Sequence, residues 1–425
     1  MSRVIGIIGL GYVGLPLALT FIQNGYIVIG VDVDERKIRA LNEQKSYLPD
    51  VPDDAVRESI VRKNLVATSD YSGLAEAEAV IICVPTPLTP DHVPDLSFLL
   101  QVAATLNRQL VPEQLIVLES STYPGTTREV LLPLLEQSGM RVGEEIYLAY
   151  SPERINPGNP NAGFDKIPKV ISGITDRCAE RIFELYSSVF AHVVPVSSTE
   201  AAEMTKLLEN TYRFVNISFI NEFAMICDGL HIDVWEVIEA AKTKPYGFSP
   251  FYPGPGIGGH CIPVDPLYLQ WRANQNGLNS RFIDYSHSVN LSMPKYIVDR
   301  IRDCLKGSIK GRSVLVIGAA YKRNLNDVRE SSSLNLMELL VREGAILSYH
   351  DPYVSKISVC GNPLSGRELN AQTLAEADCV VMATDHSQLP IQFILDHANL
   401  VYDTRDMTRG RSGKAKIVRL GTGER

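Results

Sequence analysis

Residues 4–32 of the chain read VIGIIGLGYVGLPLALTFIQNGYIVIGVD. Apolar runs around a glycine-rich turn predict a strand, a turn, a helix and a second strand, at residues 4–8, 9–14, 15–24 and 26–31. The segment has no charged residue before Asp32, yet its six glycines and Pro16 argue against a membrane span or a signal peptide. A buried strand, helix and strand in this order are typical of a parallel sheet covered by helices on both faces.

The turn at residues 9–14 has the pattern Gly-x-Gly-x-x-Gly, and Asp32 follows its last glycine by 18 residues. Between a strand and a helix, this pattern predicts a dinucleotide site, because backbone amides can approach a pyrophosphate and the acid can bind ribose hydroxyls. Asp34 and Glu35 add negative charge that disfavours a 2′-phosphate, so we predict NAD rather than NADP. The alternative is a tight turn without a ligand, and the strand and helix around the motif argue against it.

A second α/β unit is predicted to begin near Gly311, where residues 313–318 again lead from a strand into a glycine. A helix at 332–343 and a strand at 345–350, which Asp351 follows, continue the pattern. The two ends of the chain therefore resemble each other in architecture.

The resemblance extends to a short echo, LAEAEAVII at 74–82 and LAEADCVVM at 374–382. We predict an α/β fold of two Rossmann-like doubly wound parallel-sheet domains, joined by a central helical domain with a long helix. Further strands are predicted at 79–84, 115–119 and 146–150. The predicted domains are an NAD-binding domain at 1–197, a central helical domain at 198–300 and a second Rossmann-like domain at 311–425.

The central helix is predicted over Ser198–Asp228, a stretch without Pro or Gly whose apolar residues recur at helical spacing. At 1.5 Å per residue, about 30 residues span roughly 45 Å. A helix of that length exceeds what a small domain needs, so we predict that it connects the two ends and forms a subunit interface in a homodimer or larger homo-oligomer.

Composition excludes several classes of protein. The net charge of −8 argues against a surface that binds nucleic acid. Seven cysteines without a CxxC pair favour reduced thiols in the cytoplasm, and eight histidines without ligand spacing argue against a metal site. No stretch competes as a membrane span.

Residues 254–266 read GPGIGGHCIPVDP, with four glycines in the first six positions. Such a loop lets a ligand approach the backbone closely, and Cys261 precedes the predicted first turn of a helix, a position that favours the thiolate. We therefore interpret Cys261 as a nucleophile. The alternative, a small buried apolar side chain, is our interpretation of four other cysteines, Cys83, Cys227, Cys304 and Cys379.

With Asp265, this loop resembles the active-site loop of the UDP-sugar 6-dehydrogenases of the UDP-glucose/GDP-mannose dehydrogenase family. Other matching motifs follow in order along nearly the whole chain, at 9–16, 120–122, 151–154, 206–211, 321–322, 327–331 and 403–405. The resemblance implies two NAD-linked oxidations that convert a C6 hydroxymethyl group to a carboxylate. It also implies that the domain at 311–425 binds the UDP-sugar.

By this resemblance Cys261 forms a thiohemiacetal and then a thioester, which water cleaves. Lys206 and Asn210, four residues apart on one helix face, would stabilise a developing oxyanion, although a solvated lysine and an ordinary helix asparagine are the alternative. Glu153 would activate the hydrolytic water, where the alternative is a surface carboxylate. Asp265 would steady Lys206 or a water.

The resemblance implies three sets of site residues. The catalytic set is Cys261, Lys206, Asn210, Glu153, Asp265 and Thr122. The NAD set is Gly9, Gly11, Tyr12, Val13, Gly14, Asp32, Lys37, Thr86, Thr122 and Arg329. The UDP-sugar set is Glu153, Arg154, Lys206, Asn210, Tyr252, Gly256, Gly258, Tyr321, Lys322 and Arg405.

Four features differ from the UDP-glucose pattern. His260 stands where the glucose enzymes usually have Ser, Val264 stands where they usually have Lys, Arg154 follows Glu153, and residues 252–255, which read YPGP, precede the loop. This set resembles the branch that oxidises UDP-N-acetylhexosamines, above all the UDP-N-acetylglucosamine 6-dehydrogenases, whose uronate products feed surface polysaccharide synthesis. UDP-N-acetylmannosamine and UDP-glucose remain alternative substrates. A simple two-electron NAD-dependent dehydrogenase and a non-catalytic NAD-binding protein are alternatives of other classes.

Overall fold

The protein is described by a computed structural model over residues 3–48, 51–154 and 166–424. The chain divides into two compact units, Met1–Asn210 with Leu267–Asn279 and Thr211–Pro266 with Ser280–Arg425. Among the described residues, no helix combines the length and the apolar character that crossing a bilayer requires.

The first unit is built on an eight-stranded sheet in which every adjacent pair is parallel except β6 and β7. Its strands are β1 (Val4–Ile8), β2 (Ile27–Val31), β3 (Leu65–Thr68), β4 (Ala79–Ile82), β5 (Leu115–Leu118), β6 (Tyr147–Tyr150), β7 (Lys169–Gly173) and β8 (Val193–Pro195). Their order in the sheet is β3-β2-β1-β4-β5-β6-β7-β8. The chain therefore reverses direction across the sheet between β1 and β4, the point where open α/β sheets bind ligands.

Helices cover this sheet, and the strands are apolar on both faces for that reason. Ile5 and Ile7 of β1 pack into one hydrophobic core, whereas Ile8 packs into the core on the opposite face. The helices are α1 (Gly14–Gln23), α2 (Glu35–Asn42), α3 (Asp53–Val61), α4 (Ser97–Leu106), α5 (Leu132–Leu135) and α6 (Asp176–Ser187). The burial of these strands on both faces explains why residues 4–31 carry no charged side chain.

Four helices follow in the central part of the chain. They are α7 (Thr199–Leu230), α8 (Val234–Lys242), α9 (Asp265–Gln275) and α10 (Arg281–Cys304). The long helix predicted over Ser198–Asp228 is thus present as α7, with 32 residues. α7 belongs to the first unit up to Asn210 and to the second unit from Thr211.

The second unit contains a five-stranded, fully parallel sheet. Its strands are β9 (Ser313–Ile317), β10 (Ile346–His350), β13 (Cys379–Met382), β14 (Leu400–Asp403) and β15 (Lys416–Arg419), and a separate antiparallel hairpin joins β11 (Lys356–Val359) to β12 (Asn362–Ser365). The order of the five strands in the sheet is β10-β9-β13-β14-β15. The helices are α11 (Ser332–Arg342), α12 (Ala371–Glu376) and α13 (Ile391–His397).

The sequence echo has a structural counterpart. Residues 74–82 lead into β4, which pairs with β1, and residues 374–382 lead into β13, which pairs with β9. In each sheet, the first strand has the second strand on one side and the strand that the echo contains on the other side. The predicted fold class, with two Rossmann-like sheets and a long central helix, is confirmed.

Candidate active site

The glycine turn after β1 is shaped for a close approach of backbone to a ligand. Gly9 has a φ of +92°, and a Cβ added there would lie 2.6 Å from the carbonyl oxygen of Cys83. A Cβ on Gly14 would overlap the carbonyl of Gly9, whereas one on Gly11 would meet nothing within 4 Å. The turn is thus closely packed against backbone at Gly9 and Gly14 and has open space at Gly11. Open space next to the start of α1 fits a pyrophosphate group.

Asp32 follows β2 and is buried against this turn. Its Oδ2 accepts hydrogen bonds from the backbone nitrogen of Leu10 and from Lys37 Nζ, both at 2.8 Å. Its Oδ1 accepts from the backbone nitrogen of Asp34 at 2.9 Å. Asp32 and Lys37, both predicted cofactor residues, are therefore in direct contact at the predicted ribose position.

Asp34 contributes less free charge than the sequence suggests. Arg36 donates to both of its carboxylate oxygens at 2.9 and 2.8 Å, and these hydrogen bonds lower the pKa of Asp34 to about 2. The ion pair compensates the charge of Asp34. Asp32 is likewise paired with Lys37, so the prediction of NAD over NADP depends on the position of Asp32 at the predicted ribose site more than on uncompensated negative charge.

Two more predicted cofactor residues lie beyond the carboxyl ends of β4 and β5. Thr86 Oγ1 donates to the carbonyl of Ser121 at 2.5 Å, and the hydroxyl of Tyr268 in α9 donates to the carbonyl of Thr86. Thr122 is buried, and its hydroxyl has no hydrogen-bond partner among the described residues. A buried hydroxyl of this kind is suited to bind a polar group of a ligand.

Glu153, Lys206 and Asn210 are the three residues of the first unit that the resemblance predicts to be catalytic. All three are less than 10% exposed, so the alternatives of a surface carboxylate and a solvated lysine are wrong. Lys206 Nζ donates to the carbonyl oxygen of Glu153 and lies 3.6 Å from its Oε2. Asn210 lies one turn further along α7, as the spacing predicts. A buried cation, an amide and a carboxylate are thus grouped on α7 and the loop after β6.

Arg154 is oriented by the same helix. Its Nε donates to Glu209 Oε2 at 3.1 Å, its second terminal nitrogen donates to Glu209 Oε1 at 2.5 Å, and Nη1 donates to the carbonyl of Pro168 at 2.7 Å. This bidentate pair holds the predicted substrate residue in one orientation.

In the second unit, two asparagines hold the glycine loop that precedes the cysteine. Asn221 of α7 accepts from the backbone nitrogen of Gly254 at 2.9 Å, and Asn290 of α10 accepts from that of Ile257 at 2.6 Å. Gly256 has a φ of +134°, and a Cβ there would lie 2.6 Å from Ser332 Oγ. Only glycine suits this position, because both the conformation and the space exclude a side chain.

Cys261 is half-buried, and a turn at residues 262–264 separates it from α9, which begins four residues after it. Its carbonyl oxygen accepts from the backbone nitrogens of Val264 and Asp265, at 3.1 and 2.8 Å, and α9 begins at the buried Asp265. Its neighbour His260 has Nδ1 3.2 Å from a terminal nitrogen of Arg329, which is itself paired with Asp327 at 2.6 Å. Arg329, predicted as a cofactor residue, therefore lies beside the cysteine loop.

The predicted UDP residues of this unit are partly assembled around the same loop. A Cβ on Gly254 would collide with the guanidinium group of Arg405, and one on Gly258 would lie 2.7 Å from Tyr321 Cβ. Lys322 follows Tyr321 and is half-buried. Tyr252 contacts a different set of residues. Its ring stacks on that of Trp235, with the ring centroids 6.1 Å apart, and its hydroxyl donates to Glu239 Oε1 at 2.8 Å.

Asp351 follows β10 in the second unit, as Asp32 follows β2 in the first, but its carboxylate binds different groups. Asp351 Oδ2 accepts from the backbone nitrogens of Ala319 and Ala320 at 2.7 and 3.0 Å and faces His386 Nε2 at 3.1 Å, while Oδ1 accepts from two more backbone nitrogens. His386 Nδ1 in turn accepts from the backbone nitrogen of Asn324 at 2.9 Å. Asp351 is thus saturated by protein groups and shapes the loop that bears Tyr321.

Sequence reasoning missed several residues that hold the site. Asn221 and Asn290 each bind a backbone group 33 positions away along the chain, so no local spacing reveals them. Two buried carboxylates, Glu119 and Glu203, were missed for the same reason, because their partners Lys169 and Thr127 are 50 and 76 residues distant.

Family models match three parts of the chain. They describe the UDP-glucose/GDP-mannose dehydrogenase family: its NAD-binding domain at residues 3–190, its central domain at 200–292 and its UDP-binding domain at 315–410. The predictions of NAD as the cofactor and of a nucleotide-sugar dehydrogenase are thereby confirmed.

Individual proteins are similar to this chain over almost its full length. Protein CapL of Staphylococcus aureus is 37% identical over 409 residues, which cover 95% of this chain and 94% of that protein. The UDP-N-acetyl-D-glucosamine 6-dehydrogenase of Salmonella typhi is 34% identical and covers 90% of both chains. The structure of the UDP-D-ManNAc dehydrogenase of Pyrococcus horikoshii superposes with a TM-score of 0.90 at 30% identity, over 99% of this chain and 100% of that one.

Proposed function

Because the chain belongs to the UDP-glucose/GDP-mannose dehydrogenase family, we propose that it oxidises the C6 hydroxymethyl group of a UDP-N-acetylhexosamine to the uronate. UDP-N-acetylglucosamine is the first candidate substrate. The product would serve surface polysaccharide synthesis. We also keep the domain limits 1–197, 198–300 and 311–425 as a proposal.

The glycine turn at 9–14, Asp32, Lys37, Thr86 and Thr122 would hold NAD. Bound there, NAD⁺ supplies the hydride acceptor for both oxidations. The thiolate of Cys261 adds to the aldehyde that the first oxidation leaves, and the resulting thiohemiacetal is oxidised to a thioester. Water then cleaves the thioester, which releases the carboxylate and restores the thiol.

The observation that carries this proposal is the buried group of Glu153, Lys206 and Asn210. A four-electron oxidation needs both a stabiliser of oxyanions and a base for water. The Lys206 ammonium and the Asn210 amide suit the first role, because a buried cation and an amide donor act strongly away from bulk water. The Glu153 carboxylate suits the second. A simple two-electron dehydrogenase needs no hydrolytic base of this kind.

The choice of sugar depends on His260, Val264 and Arg154, which resemble the N-acetylhexosamine branch. The name of the Salmonella typhi relative supports UDP-N-acetylglucosamine. The name of the Pyrococcus horikoshii structure favours UDP-N-acetylmannosamine, which is therefore the second candidate.

The test uses the purified protein with NAD⁺ and a panel of UDP-N-acetylglucosamine, UDP-N-acetylmannosamine and UDP-glucose. Absorbance follows NADH and mass spectrometry identifies the product; NADP⁺ replaces NAD⁺ in a parallel series. We expect two NADH per uronate and the highest kcat/KM with UDP-N-acetylglucosamine. One NADH per product would indicate a two-electron enzyme, and NAD binding without turnover of any sugar would indicate a non-catalytic protein. A higher kcat/KM with UDP-glucose would refute the N-acetylhexosamine assignment.

We propose further that the chain forms a homodimer or larger homo-oligomer in the cytoplasm. α7 exposes Tyr212, Phe219 and Leu230, each at least half accessible, and apolar surface of this kind is typical of a subunit interface. Seven free cysteines support a reducing compartment.

A further inference from the structure

The loop after β5 bears Thr122 and continues into a tight turn at 123–127. The carbonyl of Tyr123 accepts from the backbone nitrogen of Thr126 at 3.2 Å and from its hydroxyl at 2.7 Å. Thr122, a predicted contact of the cofactor and of the reaction, thus directly precedes a hydrogen-bonded turn.

One side chain of α7 closes this turn from outside. Glu203 Oε2 accepts from the backbone nitrogen of Gly125 at 2.6 Å, and Oε1 accepts from the backbone nitrogen and the hydroxyl of Thr127 at 2.9 and 2.7 Å. Glu203 is 0% exposed. Three hydrogen bonds from one side chain attach the turn to α7, and they are about twice as strong when the carboxylate is ionised.

Glu203 lies on the same side of α7 as two predicted catalytic residues. Lys206 and Asn210 follow it by three and seven residues, so all three side chains lie along one side of α7. Thr122 moves with the turn at 123–127, and Lys206 moves with Glu203 because both are on α7. If the turn shifts relative to Glu203, Thr122 therefore shifts relative to Lys206.

We infer that Glu203 is a positioning residue that fixes the Thr122 loop against the turn of α7 that bears Lys206. The inference rests on the proposed function, in which Thr122 and Lys206 serve the same reaction. Glu203 itself touches backbone and hydroxyl groups of the protein, so it acts through these residues.

The ionisation of Glu203 offers a readout. Burial raises its pKa to about 7, although the hydrogen bonds from Thr127 and Gly125 oppose this shift. The charged and titratable groups near it are Glu200 on α7, which pairs with Arg128 at 2.7 Å, Tyr123 of the turn, and Glu129, which pairs with Arg272 of α9. The charged carboxylate accepts best, so the local hydrogen bonds to the turn are strongest above neutral pH, although burying that charge lowers the stability of the whole unit there.

The central variant is Glu203→Gln, which keeps the shape but removes the charge and one acceptor. The matched control is Glu200→Gln, one turn earlier on α7, where the carboxylate binds Arg128 and not the turn. Steady-state kinetics give kcat and KM, and hydrogen exchange measures the backbone amides of Gly125 and Thr127. We expect kcat of Glu203→Gln to fall about 10- to 100-fold, as displaced catalytic groups do, with a smaller change in KM. The two amides should exchange faster, and Glu200→Gln should match the wild type within about twofold.

The pH profile separates positioning from stability. The wild-type kcat should rise through an ionisation near pH 7, and this step should be missing in Glu203→Gln. If Glu203→Gln keeps the wild-type kcat, or loses thermal stability while kcat and its pH profile stay the same, the inference is wrong.

If Glu203→Gln does not fold, Thr127→Val removes one of the three bonds and should lower kcat by a smaller factor; an unchanged kcat would overturn the inference. A wild type without activity on any UDP-sugar would refute the proposed function instead. The amide exchange of Gly125 and Thr127, together with NAD⁺ affinity by calorimetry, then tests the attachment without turnover. Unchanged exchange in Glu203→Gln would overturn it.

Discussion

Replacing Lys169 by Met should destabilise the first unit strongly. Lys169 begins β7, and its Nζ lies 2.8 Å from both carboxylate oxygens of Glu119, which follows β5. The side chains are 6% and 0% exposed, so solvent screens the pair little. The hydroxyl of Tyr186 also donates to Glu119, and the ammonium lies 5.6 and 5.3 Å from the rings of Tyr186 and Phe190.

The size of the destabilisation depends on Glu119, whose carboxylate stays buried when Lys169 is replaced. Removing one partner of a buried ion pair costs about 3–5 kcal/mol, because the other charge stays buried without compensation. The hydroxyl of Tyr186 still donates to Glu119, so we expect the lower end, about 3 kcal/mol. In a unit of roughly 220 residues, each kcal/mol shifts the melting temperature by about 2–4 °C, which gives a decrease of about 6–12 °C.

Calorimetry and urea unfolding measure this effect in Lys169→Met, in Glu119→Gln and in the double variant. The double variant should recover most of the loss, because replacing both charges removes the uncompensated one. Arg57→Met breaks the exposed pair with Asp54 and serves as a control that should change little. A melting temperature of Lys169→Met within about 2 °C of the wild type, or a double variant no better than the single one, would refute this reasoning.

Three further outcomes are expected. Cys261→Ser should lower turnover to the acid by several orders of magnitude, as loss of a covalent nucleophile does, and near-normal release of uronate with two NADH would contradict the mechanism. Because burial raises the pKa of Glu203 from 4.5 to about 7, its contribution to stability is fully present below pH 4.5 and is lost as the pH rises through 7. Urea unfolding at pH 5 and 8 should therefore show the wild type losing about 2–3 kcal/mol relative to Glu203→Gln, and the same pH dependence of stability in both proteins would contradict this. Phe219→Asp should convert a dimer to a monomer by light scattering, and a wild-type monomer with full activity would rule out the interface on α7.

The secondary structure and the nucleotide-binding turn could be predicted from the sequence because their causes are local. Strands buried on both faces must be apolar throughout, and the turn after β1 needs glycine where a Cβ would strike the backbone. The predicted ends of β1, β2, α1 and β9 agree with the structure to within about two residues. The spacing of Lys206 and Asn210 placed both on one face of α7 for the same reason, a fixed helical period.

The environment of the site required the tertiary structure. No local pattern tells a buried Lys206 from a solvated one, because its neighbour Glu153 is 53 residues away in the chain. Glu203 and Glu119 read as ordinary acids until folding removes water from them and supplies donors from Thr127 and Lys169. Burial and long-range hydrogen bonding are properties of the packed chain. They determine the charge, the pKa and the orientation of a side chain, and with these its function.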